Sequence, residues 1–218
     1  MTTLAYTVYD AFTARRFGGN PASVIVLDRD HGLSDETLQL IGRAFNPSET
    51  TFLVPLEDHT NEAPHFSLRW FTPQSSDLVP PCRPRGYQDR SEDRTGFLVE
   101  VAESVASVQY NASAIAAAAD LPIGQCVITA PHTPIAEDPS QVHSRMFAPG
   151  RGIKEDPVTG SAHTRIVPHW LNKFDGDRLL CRQVSARVGE LDTVWLREEG
   201  RVLLRGKGVK VAEGTLFI

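Results

Sequence analysis

The chain has 218 residues (24.0 kDa), 41% hydrophobic and 22% charged, a balance that excludes wholesale disorder and suits one large or two small domains. Twenty-two basic against 27 acidic residues leave a net charge of −5, and with no long basic run nucleic acid is not an expected partner. No apolar run approaches the ~20 residues of a membrane span, and Met1 to Tyr6 lacks a signal-peptide pattern. Cys82, Cys126 and Cys181 form no CxxC pair, so a cytoplasmic chain without disulfides is expected.

Tyr6 to Phe12 alternates aromatic and β-branched residues and reads as a strand. Phe17-Gly18-Gly19-Asn20-Pro21 is a turn, and Ser23 to Leu27 is a buried strand. Ser34 caps a helix with Leu38, Ile41 and Phe45 on one face, and Asn46-Pro47 ends it. Thr51 to Val54 and His65 to Phe71 are further strands. From Gln74 to Thr95 the periodicity disappears amid four arginines, four acidic residues and Pro80-Pro81. A structureless loop of that length is unusual inside a compact domain.

Order returns at Phe97 to Val101. An alanine-rich helix is expected after Asn111, stopping before Pro122. Short strands are expected at Val127 to Thr129, His143 to Phe147, Leu179 to Val184, Val194 to Arg197 and Val202 to Arg205. Ala162 to Leu171 reads as a helix that Pro168 bends or breaks. The irregular interleaving predicts an α+β chain with mixed sheets. Arg69-Trp70-Phe71-Thr72-Pro73 and Arg145-Met146-Phe147-Ala148-Pro149 share the pattern R-x-F-x-P. If this marks a duplication, it predicts two similar halves with a site in the cleft between them.

The segment richest in chemistry is Glu155-Asp156-Pro157-Val158-Thr159-Gly160-Ser161-Ala162-His163. Thr159, Gly160 and Ser161 sit where a loop enters a helix, and first-turn N–H groups there suit a substrate carboxylate. Asp156 could exchange a proton or hold an amine. The alternative is that Thr159 or Ser161 merely caps the helix and Asp156 favours its dipole. Glu49, ahead of the apolar Thr51-Phe52-Leu53-Val54, could act as acid or base if apolar walls raise its pKa, or could simply be solvated. His132, His143, His163 and His169 show no HExxH spacing and no cysteine partners, so no metal is expected. No dinucleotide fingerprint, Walker A sequence or G-x-S-x-G elbow is present, and no cofactor is expected.

Taken together, Asp10-Ala11-Phe12, Gly19-Asn20-Pro21-Ala22, Asn46 to Phe52, Trp70-Phe71-Thr72-Pro73, Arg145 to Pro149, Glu155 to His163 and Gln183 to Glu190 resemble the phenazine-biosynthesis PhzF-like proteins. That family is related in fold to diaminopimelate epimerase. The resemblance implies two pseudo-symmetric halves of mixed sheet, each around a central helix, with boundaries at 1–95 and 96–218 and the last strand returning to the first half. It implies a cofactor-independent isomerase or epimerase that moves a proton on a small carboxylate-bearing substrate, frequently as a homodimer. Glu49 would be the acid/base residue with Asp156 as its catalytic counterpart. Asn20, Thr159, Gly160 and Ser161 would bind substrate.

One departure stands against the likeness. The family places a Cys-Gly-His-Ala-Thr-like motif after Phe-Thr-Pro, opening the first half's central helix. Here Cys82 is followed by Arg83-Pro84-Arg85-Gly86-Tyr87-Gln88, which offers no histidine and cannot build that helix. The departure is consistent with a shifted reading frame or a misjudged splice junction around Cys82. With 218 residues short for two full halves, the first half is expected to be truncated. The alternative function is an inactive small-molecule-binding relative, or the product of a faulty gene model.

Overall fold

A computed structural model describes residues 3–45, 49–72, 96–111, 113, 125–149 and 153–218. The segment from Gln74 to Thr95, most of the alanine-rich helix and the Asn46-Pro47 stop lie outside the described residues, as does the expected loss of the first central helix. The chain divides into two compact units. One comprises Met1–Asp10, Pro21–Arg90 and Lys210–Ile218; the other comprises Ala11–Asn20 and Ser91–Val209.

In the first unit, β1 (Thr3–Ala11), β2 (Asn20–Val26), β3 (Glu49–Pro55), β4 (Phe66–Phe71) and β12 (Gly208–Phe217) form a sheet in the order β12-β1-β2-β3-β4. Helix α1 (Asp35–Phe45) makes the crossover that lets β2 and β3 run parallel, and β4 then returns antiparallel. Its start is capped as the sequence predicts, since the Ser34 hydroxyl accepts the Thr37 N–H at 3.2 Å. Leu38 and Ile41 pack with Ile25, Leu27, Phe52 and Phe71, and the Phe52 and Phe71 rings meet edge-on at 5.5 Å.

The second unit carries β5 (Gly96–Glu100), β6 (Gln125–Pro131), β7 (Val142–Ala148), β8 (Ile153–Asp156), β9 (Arg178–Gln183), β10 (Gly189–Leu196) and β11 (Arg201–Arg205). Their order is β11-β10-β9-β7-β6-β5, with β8 paired to β7 off this path. Strand β6 is buried on both faces, as a central strand must be. One face packs on α2 (Gly160–Leu171), whose Ala162, Ile166, Val167, Trp170 and Leu171 meet Val127, Val142, Met146, Leu179 and Leu191. The other carries Cys126, Ile128 and Phe147, with Tyr110 stacked on Phe147 at 3.8 Å.

Helix α2 runs through Pro168 and ends three residues later. Near a helix end, the absent proline N–H removes only one of the last bonds. Sequence periodicity did not find β8, which has four residues, or β12, whose alternation is broken by Glu213-Gly214. The R-x-F-x-P echo has a structural counterpart in each unit. A parallel pair followed by an antiparallel strand occurs as β2-β3-β4 and as β5-β6-β7. In both, the arginine in the third strand lies over the phenylalanine two residues on: Arg69 over Phe71 at 5.4 Å and Arg145 over Phe147 at 4.9 Å. No helix among the described residues is long and apolar enough to cross a membrane.

Candidate active site

Strand β8 ends on Asp156, and Pro157-Val158-Thr159 turns the chain into α2. Thr159 has extended backbone angles, but its hydroxyl does not cap the helix. It is hydrogen-bonded instead to Asp156 Oδ2. The capping alternative for Thr159 is therefore set aside: its side chain serves the carboxyl ahead of it. Gly160 and Ser161 follow in the first helical turn, where N–H groups have no intrahelical acceptor. Ser161 is exposed, whereas Thr159 is buried.

Two neighbouring carboxyls meet opposite fates here. Glu155 receives a two-pronged contact from Arg145, Nε to Oε1 and Nη2 to Oε2, both at 2.8 Å. Arg145 first, and Ser185 after it, hold Glu155 below the usual carboxylate range. Asp156 is only 8% exposed and pairs with no cation among the described residues; burial pushes its carboxyl up, partly countered by the Thr159 hydroxyl. Glu155 therefore stays ionised and fixes the strand, while Asp156 can hold a proton. Environments that drive two titratable groups apart mark which one suits acid–base work.

The turn is anchored from three sides. Asn20 Nδ2 donates to the Val158 carbonyl at 3.0 Å. The side chain of Gln183, fully buried at the end of β9, brackets the turn: Oε1 accepts the Thr159 N–H at 2.8 Å and Nε2 donates to the Asp156 carbonyl at 2.7 Å. Gly189 supplies the third side, since a Cβ there would stand 2.3 Å from Val158 Cγ2. Gly189→Ala is expected to lower stability by about 1–3 kcal/mol through overpacking; an unchanged urea midpoint would show that Val158 is not tightly docked.

The loop bearing Asn20 is held in turn by Arg187, whose Nε and Nη2 donate to the carbonyls of Gly19 (2.9 Å) and Gly18 (2.7 Å). Gly19 has φ +58°, and a Cβ would fall 1.9 Å from the Ala11 carbonyl oxygen, so the turn needs glycine there. Asn20 thus donates an amide N–H to the protein, and its half-buried side chain helps to build the turn, while its buried Oδ1 has no partner among the described residues.

Thr159, Gly160, Ser161, Asp156 and Asn20 all come together in the second unit. Glu49 belongs to the first unit. It opens β3, half-buried, opposite Ala22 of β2. Sequence reasoning missed the role of Gln183. Its signal is a polar residue ending the inward row Leu179, Cys181, Gln183, where another apolar side chain would be expected.

The structure also joins histidines that sequence spacing left apart. The rings of His132 and His143 stack at 4.0 Å, and with Asp138 they offer three ligand atoms within 4.8 Å of one another. Asp138 is already saturated. Oδ1 accepts the Ser140 N–H (3.1 Å) and hydroxyl (2.6 Å), and Oδ2 accepts His143 Nε2 (2.8 Å) and Arg182 Nη1 (2.9 Å). The cluster is a staple joining the β6–β7 connection to β9. Burial pulls His143 below its ordinary pKa despite Asp138.

The model of the family described as phenazine biosynthesis-like protein matches residues 9–77 and 92–214. The chain belongs to this family. The break in the match falls inside the aperiodic stretch, and both segments that build the turn lie within it. Phenazine biosynthesis-like domain-containing protein 1 of Mus musculus is 30% identical over 283 aligned positions, covering 96% of this chain and 97% of the relative. A Pseudomonas aeruginosa protein named as an uncharacterized isomerase is 31% identical, with 98% of each chain covered. Each alignment is longer than the chain's 218 residues, so the relatives carry segments without a counterpart here. A crystal structure of a phenazine biosynthesis PhzF family protein from Enterococcus faecalis superposes with a TM-score of 0.76 at 24% identity, covering all of both chains. That likeness shows the shared α+β fold of two mixed sheets.

Proposed function

We propose that this chain is a cofactor-independent isomerase that moves a proton on a small substrate bearing a carboxylate. The observation that carries the reading is Asp156: a buried carboxyl with a raised pKa, held by a threonine hydroxyl immediately before the N-terminus of α2. Membership of a family in which relatives are named isomerases supports the reaction class.

In this reading the first turn, half-buried at Gly160 and exposed at Ser161, receives the substrate carboxylate, because its N–H groups and the positive end of the helix favour an anion. Glu49 takes a proton from the carbon next to that carboxylate. Asp156, protonated above the ordinary carboxylate range, returns one to the new position.

The test is exchange of carbon-bound hydrogen in D2O, followed by proton NMR across a panel of free α-amino acids and 2-hydroxy acids. Glu49→Gln and Asp156→Asn should each slow exchange by roughly 10²–10⁴-fold with the circular dichroism spectrum unchanged. As a donor, Asp156 should make the rate fall as pH rises through its raised pKa. Thr159→Val removes the hydroxyl that favours the carboxylate, so this limb should move to higher pH. A panel member that binds at Ser161 without exchange at any pH would instead establish a binding protein.

A further inference from the structure

The structure assigns Gln183 as the positioning residue of the candidate site: its amide sets the Asp156–Thr159 turn, and with it the proton-carrying carboxyl and the first turn of α2. This deepens the isomerase reading and rests on it for the catalytic consequence, but not for the structural one.

Three observations carry it. Gln183 stands where β9 should present a third apolar side chain, after Leu179 and Cys181. A buried primary amide costs about 1–3 kcal/mol unless it is hydrogen-bonded, and this one is bonded at both ends. Its oxygen accepts from Thr159 N and its nitrogen donates to the Asp156 carbonyl. Because one end meets a donor and the other an acceptor, only one amide orientation satisfies both. Those two backbone groups bound the turn containing Pro157 and Val158, so one side chain spans the segment from proton carrier to helix start.

The amide is itself tethered. Nε2 also reaches Ser185 Oγ at 3.3 Å, and Ser185 acts on Glu155, which Arg145 grips at 2.8 Å. A connected row of polar side chains, Arg145, Glu155, Ser185 and Gln183, thus lies beside the turn. Filling the core needs no such row, and an apolar side chain at 183 would leave the Thr159 N–H and the Asp156 carbonyl without these partners.

The test compares Gln183→Leu and Gln183→Glu with the wild-type protein. Three readouts are taken: titration of the Asp156 carboxyl and the shift of the Asp156 backbone carbonyl by 13C NMR, and amide hydrogen exchange at Thr159. Gln183→Leu should release the turn, letting Asp156 titrate lower by about one pH unit or more and abolishing protection of the Thr159 amide. In Gln183→Glu the introduced carboxyl mimics the amide only while protonated, donating to the Asp156 carbonyl. Ionised, it still accepts the Thr159 N–H but can no longer donate to the Asp156 carbonyl. The Asp156 backbone carbonyl 13C shift should therefore be close to wild type at low pH and move as pH rises, a dependence that loss of packing alone would not produce.

In the D2O assay, Gln183→Glu should approach the wild-type rate as pH falls, and Gln183→Leu should stay slow throughout. Unchanged Asp156 titration and Thr159 protection in Gln183→Leu would overturn the assignment, as would an Asp156 carbonyl shift that does not move with pH in a folded Gln183→Glu. Should wild-type protein exchange no panel member, the isomerase reading fails, while the NMR readouts still decide the role of Gln183.

Discussion

Trp170→Ala should destabilise the second unit by about 3–5 kcal/mol, the range for removing a buried tryptophan. Trp170 is 2% exposed, stacks on Phe174 with ring centroids at 5.3 Å, and packs among Ile166, Val167, Leu179 and Leu191 between α2 and the sheet. Its indole N–H donates to the Thr129 hydroxyl at 3.0 Å, and that hydroxyl donates to the His143 carbonyl at 2.9 Å. The truncation therefore opens a cavity under the helix that carries the candidate site and takes a donor from a fully buried hydroxyl. Urea unfolding followed by circular dichroism reads the effect. Trp195→Ala is the comparison, since Trp195 is half-buried beneath the Arg197 guanidinium at 3.9 Å and should cost clearly less. Equal losses for the two would show that α2 is not held by this tryptophan.

The second large effect is on stability against pH. His163 is fully buried in α2, its Nδ1–H donates to the Thr159 carbonyl at 2.8 Å, and burial pulls its pKa down from 6.5 to about 4. Between those values the unfolded chain binds a proton that the folded chain refuses, so stability falls as pH drops from 6.5 towards 4. At 1.36 kcal/mol per unit the loss approaches roughly 3 kcal/mol. Asp156 has the opposite sign: with its folded pKa raised, it contributes stability that is lost as pH rises through that pKa. For Asp138, burial pushes upward but is outweighed by Ser140, His143 and Arg182, so its contribution disappears only below the ordinary carboxylate range. Asp156 thus works against His163 above the ordinary carboxylate range, and only the Asp138 window lies apart. His163→Asn keeps a donor for Thr159 and removes the titration, so its stability should vary far less between pH 6.5 and 4. An unchanged slope would place the acid sensitivity elsewhere.

The pH effect centres on Thr159, which links a buried histidine, a raised aspartate and a bracketing glutamine. Most of the strands and the two α-helices Asp35–Phe45 and Gly160–Leu171 were legible in the sequence, because burial on one face imposes a period of two or 3.6 that local reading can detect. Ser34 read correctly as a cap because a cap is a local bond. The candidate turn was legible as a position, since Thr159-Gly160-Ser161 announces a loop entering a helix. Its chemistry was not. The sequence offers Glu155 and Asp156 as equals, and the difference between them comes from Arg145, ten residues away along the chain, and from burial.

The sequence by itself determined the composition of a globular chain, the alternation of short strands with amphipathic helices, and the family motifs that place Asp156 before a helix. Those properties depend on neighbours within about one turn or one strand. Only the tertiary structure decided that the Thr159 hydroxyl serves Asp156 instead of the helix, that Asn20 spends its amide on Val158, and that Gln183 brackets the turn. The Asn20 and Gln183 bonds join chain folded back across 138 and 24 residues, and the Thr159 bond, though it spans only three, follows from the burial of Asp156 by the rest of the unit.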